Sequence, residues 1–151
     1  MKKTHYLAGL VLMSAALPAL AADDCTLTIE GNDAMQFDQK ELSVPASCDE
    51  VTLTLKHTGK LPVNTMGHNW VLSKTDDMQG IASDGVSAGA DHDYLKADDE
   101  RVIAHTDLVG GGESTSVTFS TEDMEAGGDY SYFCSFPGHV GIMNGKFIIT
   151  E

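Results

Sequence analysis

Positive charge is scarce in this chain: nine Lys and Arg stand against 23 Asp and Glu in 151 residues. Phosphate backbones and anionic lipid surfaces are poor partners for such a chain, whereas a basic protein surface is a good one. Other absences narrow the chemistry. No apolar run approaches the roughly 20 residues needed to span a bilayer. No C-x2-C pair occurs, which argues against a common structural zinc site. G-x-S-x-G is missing, and His57, His92 and His105 show no partner spacing with a serine nucleophile. The G-G-G at residues 110–112 lacks the strand-to-helix setting of a phosphate loop. No repeat, linker or second domain interrupts the chain, whose length suits one domain.

What is present begins with a leader. Lys2 and Lys3 precede an apolar run from Tyr6 to Leu17, Pro18 breaks it, and Ala19-Leu20-Ala21 supplies an A-x-A site. This pattern predicts a bacterial export signal over residues 1–21, cut after Ala21 or after Ala22, and one domain over residues 22–151 in the periplasm. Asp23 and Asp24 separate Cys25 from the small residues, so no lipid anchor is expected. Removal of the leader takes two lysines and no acids. Seven cations then face 23 carboxylates, a net of −16.

Three cysteines enter an oxidising compartment, so two should pair and one is left over. Cys25 with Cys48 would close a loop worth roughly 3 kcal/mol. That choice leaves Cys134 as a free thiol, which a metal bond would protect. Cys48 with Cys134 is the alternative. The order Cys48, Trp70, Tyr132, Cys134 imitates an immunoglobulin-like sandwich, although its cysteine spacing is long and Cys25 becomes the orphan.

Short alternating runs predict seven strands, Cys25 to Glu30, Val51 to Leu55, His68 to Leu72, Arg101 to His105, Ser116 to Ser120, Tyr130 to Cys134 and Gly145 to Thr150, and a weaker extended run from Met35 to Val44. Glycines interrupt a roughly helical spacing between Asp76 and Asp93, which predicts a short helical flap. The sum is an all-β sandwich. His57 and His105 end strands and are read as structural, with a place near the metal, where its protonation would couple to redox state, as the alternative for His57.

The chemistry concentrates in C-S-F-P-G-H-V-G-I-M, residues 134–143. Pro137 and Gly138 turn the chain between a thiol and an imidazole, and Met143 follows four residues after His139. Thiolate, imidazole and thioether are soft ligands that suit copper, not magnesium or calcium. A trigonal copper site needs a second imidazole, and His68 in M-G-H-N-W is the upstream candidate. Zinc would accept the same thiol and imidazoles, but methionine is a poor zinc ligand.

Longer motifs then carry a resemblance. The stretches G-N-D-A-M-Q-F at Gly31, N-T-M-G-H-N-W-V-L-S at Asn64, D-M-Q-G at Asp77, D-Y-L-K at Asp93, R-V-I-A-H-T at Arg101 and F-C-S-F-P-G-H at Phe133 resemble the blue copper proteins of the cupredoxin family. The resemblance implies a Greek-key β-sandwich with a helical flap, one copper ion cycling between Cu(I) and Cu(II), and single-electron transfer without a substrate. It implies His68, Cys134 and His139 as equatorial ligands, Met143 as the axial one, and the Gly67 carbonyl on the opposite side. Asn69 and Phe136 would support the ligands, and Cys25 would pair with Cys48. An apolar docking patch of Met35, Leu61, Met66, Val86, Phe136, Pro137 and Ile142 would surround the edge of His139. The implied partners are periplasmic redox proteins such as a c-type cytochrome or a reductase with a basic surface. A copper-storage or delivery protein would use the same ligands. Copper oxidases and nitrite reductases resemble fused cupredoxin domains, which a single domain poor in histidine does not supply.

Overall fold

A computed structural model describes residues 24–151; the expected leader lies outside the described residues. Eight strands form two sheets. β1 (Thr26–Gly31), β3 (Glu50–His57) and β6 (Ser114–Ser120) make a three-stranded sheet in the order β1-β3-β6. β2 (Glu41–Pro45), β4 (Val71–Lys74), β5 (Val102–His105), β7 (Tyr130–Phe133) and β8 (Asn144–Thr150) make the other, in the order β2-β8-β7-β4-β5. β1 runs parallel to β3 and β2 parallel to β8, while the remaining pairs are antiparallel. These crossed connections are those of a Greek-key sandwich.

Alternation does what pleating requires. Along β3 the side chains of Val51, Leu53, Leu55 and His57 are buried, while Glu50 and Lys56 are exposed and the threonines lie between. β7 is buried at all four positions because it lies inside its sheet, between β4 and β8, with cover on both faces. Trp70 is fully buried between the sheets, with the rings of Phe119, Tyr132 and Phe147 centred 5.8–6.2 Å away. Its backbone is clamped as well: Trp70 N–H donates to Thr106 Oγ1, and Thr106 N–H donates back to the Trp70 carbonyl, both at 3.0 Å.

Cys25 and Cys48 form the disulfide, with Cα atoms 5.6 Å apart. Cys134 is the free, buried cysteine. The immunoglobulin-like pairing of Cys48 with Cys134 is thereby overturned.

Several boundaries differ from the sequence reading. The run from Met35 to Val44 becomes a strand only at Glu41; before that, Met35 has a left-handed φ of 55° and Phe37 makes a single bridge to Gly31. β4 starts at Val71, and His68 sits in an isolated bridge to Val109. A one-turn helix, α1 (Val63–Met66), follows the loop after Gly59 and was not expected. The flap contains α2 (Met78–Gly85) and a 3-10 turn at Ala90–His92. α2 buries Ile81 and Ala82 with Leu95 against Val71 and Phe133, a second small core outside the larger sheet. Arg101 pins the flap from below through Asp84 at 2.7 Å and Asp99 at 2.6 Å.

Candidate metal centre

Three chain segments converge at one end of the sandwich. The bridge to Val109 fixes His68: each residue's N–H donates to the other's carbonyl, at 3.0 and 2.9 Å. Cys134 follows directly on β7. The loop after it turns at Phe136-Pro137-Gly138-His139, where His139 N–H donates to the Phe136 carbonyl at 3.0 Å and Gly138 takes a φ of 85°. Proline followed by a left-handed residue is the requirement of a type II turn, and glycine meets it without a Cβ penalty. The loop is then stitched shut. Met143 N–H donates to the His139 carbonyl at 2.8 Å, and Cys134 N–H donates to the Met143 carbonyl at 3.0 Å.

The structure thus brings together the residues that the sequence singled out. Cys134 Sγ lies 3.9 Å from His68 Nδ1 and 3.5 Å from His139 Nδ1. Bonds of about 2.0–2.3 Å to nitrogen and sulfur, arranged trigonally, separate their donor atoms by roughly 3.7 Å. The three donors therefore fit one metal ion with little movement. All three residues are buried, and they are the only such group of His, Cys, Asp or Glu among the described residues. Met143 is fully buried, and the Gly67 carbonyl is 3.9 Å from Cys134 Sγ. No carboxylate belongs to the group, whose strong donors are one sulfur and two imidazole nitrogens, a set that suits copper.

The neighbouring groups set the protonation of each ligand. His68 Nε2–H donates to the Asn32 carbonyl at 2.8 Å, which leaves the Nδ1 lone pair facing the sulfur. Burial holds the His68 imidazolium below its usual range, only partly offset by that carbonyl. Burial also pushes His139 down to about 4, with the nearby His68 and His57 adding to the shift. Both imidazoles are neutral at pH 7. The thiol moves the other way: burial raises Cys134 to about 12, opposed by the backbone N–H groups of Asn69 and Phe136. Binding a metal as thiolate must therefore expel one proton. The apparent affinity for Cu(II) should rise about tenfold per pH unit between about pH 7 and pH 9, where both histidines are neutral and the thiol is not yet ionised. Competition titrations against a coloured chelator measure that slope, and a flat profile would contradict a thiolate ligand.

Asn69 and Phe136 contact the segments that carry the donors. Asn69 Oδ1 accepts from Ser135 N–H at 2.9 Å, and its Nδ2 donates to Ser135 Oγ at 2.8 Å and to the Asp93 carbonyl at 2.9 Å. It ties the residue after His68 to the residue after Cys134. The Phe136 ring lies against His139, 4.6 Å between centroids.

The sequence reading understated His57. Its ring stacks on His68 at 4.2 Å, and its Nε2 is 2.7 Å from the Met66 carbonyl while Nδ1 accepts from Gly59 N–H. No local motif marks this contact, because the loop and helix of residues 58–67 separate the two histidines. Gly31 was also missed: a Cβ there would lie 2.8 Å from His68 Cδ2, so glycine lets β1 close on the ligand. His92 and His105 are exposed and away from the group.

A two-sheet sandwich that buries one thiol between two imidazoles, on a loop ending in a buried thioether, is the architecture of a type 1 blue copper protein, a carrier of single electrons. Comparison with known proteins agrees with this class. The chain belongs to the copper-binding proteins of the plastocyanin/azurin family, whose model matches residues 23–150. It is 55% identical over 145 residues to azurin of Bordetella pertussis, covering 96% of this chain and 97% of that one. It is 58% identical over 128 residues to azurin-1 of Alcaligenes xylosoxydans xylosoxydans, covering 85% and 99%. To azurin of Pseudomonas aeruginosa it is 50% identical over 143 residues, covering 95% and 97%.

Proposed function

We propose that the mature chain is a periplasmic electron carrier in which His68, Cys134 and His139 would hold one copper ion, with Met143 and the Gly67 carbonyl as weaker donors. The observation that carries this reading is the sulfur of Cys134 set between two inward-facing Nδ1 atoms in a buried pocket. Copper bound there supplies a one-electron couple between Cu(I) and Cu(II). The protein's part is to hold its donors still. His68 is fixed by Asn32 and by its bridge to Val109, His139 by its turn and by Phe136, and Cys134 by the Met143 carbonyl. Ligands that need not move on gain or loss of an electron keep reorganisation small. The burial of all three excludes water from the metal.

Export to the periplasm rests on the leader, and no helix among the described residues is long and apolar enough to cross a membrane. Adding Cu(II) to the mature protein should produce an intense blue thiolate-to-copper band and a narrow copper hyperfine splitting in electron paramagnetic resonance. A colourless protein would overturn the reading.

Partners should dock where the ligands come nearest to the surface. Leu61, Val86 and Ile142 are 38%, 52% and 50% exposed, Pro137 is exposed, and Met35, Met66 and Phe136 are half-buried. Val63, 39% exposed beside Leu61, joins them and was missed in the sequence. Exposed apolar side chains of this kind support a contact surface, and a transient redox pair needs only a small one. The acidic remainder of the chain favours a partner with a basic rim, such as a c-type cytochrome. Val86→Lys and Ile142→Lys should each slow electron exchange with such a cytochrome about tenfold without altering the copper spectrum. Stopped-flow rates equal to those of the unmodified protein would remove the patch from the docking surface.

A further inference from the structure

We propose that the consecutive left-handed residues Asp93 and Tyr94 form a positioning element for the metal site, by which the flap holds both ligand-bearing segments in place. Asp93 and Tyr94 have φ values of 53° and 52°. Left-handed backbone is unfavourable for residues with a side chain and uncommon for an aromatic one, so it persists only where the surroundings over-determine it. Here they do, from four sides.

The Asp93 carbonyl accepts from Asn69 Nδ2 at 2.9 Å and from Ser135 Oγ at 2.8 Å. One oxygen thus sits between the residue after His68 and the residue after Cys134. The Asp93 carboxylate accepts from Leu108 N–H at 2.8 Å, next to the Val109 that is bridged to His68. The Tyr94 ring meets Phe136 edge-on at 5.3 Å, and Phe136 in turn lies against His139. From the outer side α2 closes the wedge: a Cβ on Gly85 would lie 1.9 Å from the Tyr94 carbonyl oxygen. A right-handed or extended backbone at residue 93 would swing that carbonyl away and release Asn69, which would then no longer fix the Ser135 amide. Asp93 touches none of the three ligand side chains in this network; it acts through Asn69 and Ser135.

The inference rests on the copper reading for its spectroscopic consequence, but not for its first measurement. Asp93→Ala and Asp93→Gly both lack the carboxylate and differ in how readily they adopt the left-handed region, while Asp93→Asn keeps an acceptor and tolerates that region. In the metal-free protein, hydrogen exchange at the Ser135 amide should be about tenfold faster in Asp93→Ala, intermediate in Asp93→Gly and within about twofold of the parent in Asp93→Asn. The copper-loaded Asp93→Ala protein should show a shifted reduction potential and altered hyperfine splitting, both restored in Asp93→Asn. Gly85→Ala, whose added Cβ would meet Tyr94 and Leu95 and no ligand side chain, should also accelerate Ser135 exchange and serves as the test if Asp93→Ala does not fold. Equal exchange in Asp93→Ala and Asp93→Gly would overturn the positioning role, as would variants that lose thermal stability while Ser135 exchange and the copper spectrum stay unchanged. A protein that takes up no copper would sink the proposed function and leave the exchange result standing.

Discussion

Cys134→Ser should abolish the blue colour of the copper-loaded protein while leaving the fold in place. Cys134 is the free cysteine of the described residues, fully buried, with two imidazole nitrogens within 3.9 Å. The colour of a type 1 site comes from charge transfer out of a thiolate, and a serine oxygen offers none. A serine hydroxyl in this apolar pocket is also far harder to deprotonate than the thiol. Two neutral imidazoles remain, so residual copper binding is weak and colourless. The substitution is nearly isosteric, and burying a hydroxyl with poor partners costs about 1–3 kcal/mol. Titration with Cu(II), followed by visible absorption and circular dichroism, separates the two effects. A folded serine variant that stays blue would show that another residue supplies the thiolate-like donor, which the disulfide between Cys25 and Cys48 makes chemically untenable. Met143→Leu makes the contrast: the three strong donors persist, so copper and colour remain, and the reduction potential moves because an axial thioether is lost.

Trp70→Ala should cost about 3–5 kcal/mol, the range for truncating a large aromatic inside a packed core. For a domain of this size that lowers the melting temperature by roughly 10–20 °C. Trp70 is fully exposed to core atoms and to no solvent, and it joins the two sheets through Phe119 of β6, Tyr132 of β7 and Phe147 of β8. Removing it opens a cavity that the rigid sheets cannot close. Trp70→Phe should cost less than half as much, because Nε1 has no hydrogen-bond partner among the described residues and its loss strands no acceptor. Urea midpoints of the two variants decide the point. Equal losses would mean that the indole nitrogen matters, and a loss near zero for the alanine variant would mean the core collapses around the gap. Because Trp70 follows His68 and Asn69 directly, the alanine variant should also hold copper more loosely.

What the sequence by itself determined is local. Cys134, His139 and Met143 lie within ten residues, so a turn at Pro137-Gly138 must bring them together wherever the loop sits, and the ligand chemistry of the loop could be read without any fold. Alternation in Val51 to Leu55 and in Ser116 to Ser120 likewise marked strands, because pleating imposes a period of two on any half-buried strand. His68 was harder. Among the other histidines it was favoured by its motif, but its place opposite Cys134 depends on the pairing of β4 with β7, across about 60 residues, and on the bridge to Val109, across about 40. No local motif puts His57 on the face of His68, and the motifs that begin at Gly31 and Asp93 assign neither residue its place behind His68 or beneath Asn69. The cysteine pairing stood in the same position, since two partners for Cys48 were chemically reasonable and only the approach of β1 to β3 put Cys25 within reach. Side-chain chemistry and short-range turn geometry are written residue by residue. Which distant residues meet is decided by sheet register and layer packing, where each contact is stable only because all the others are made.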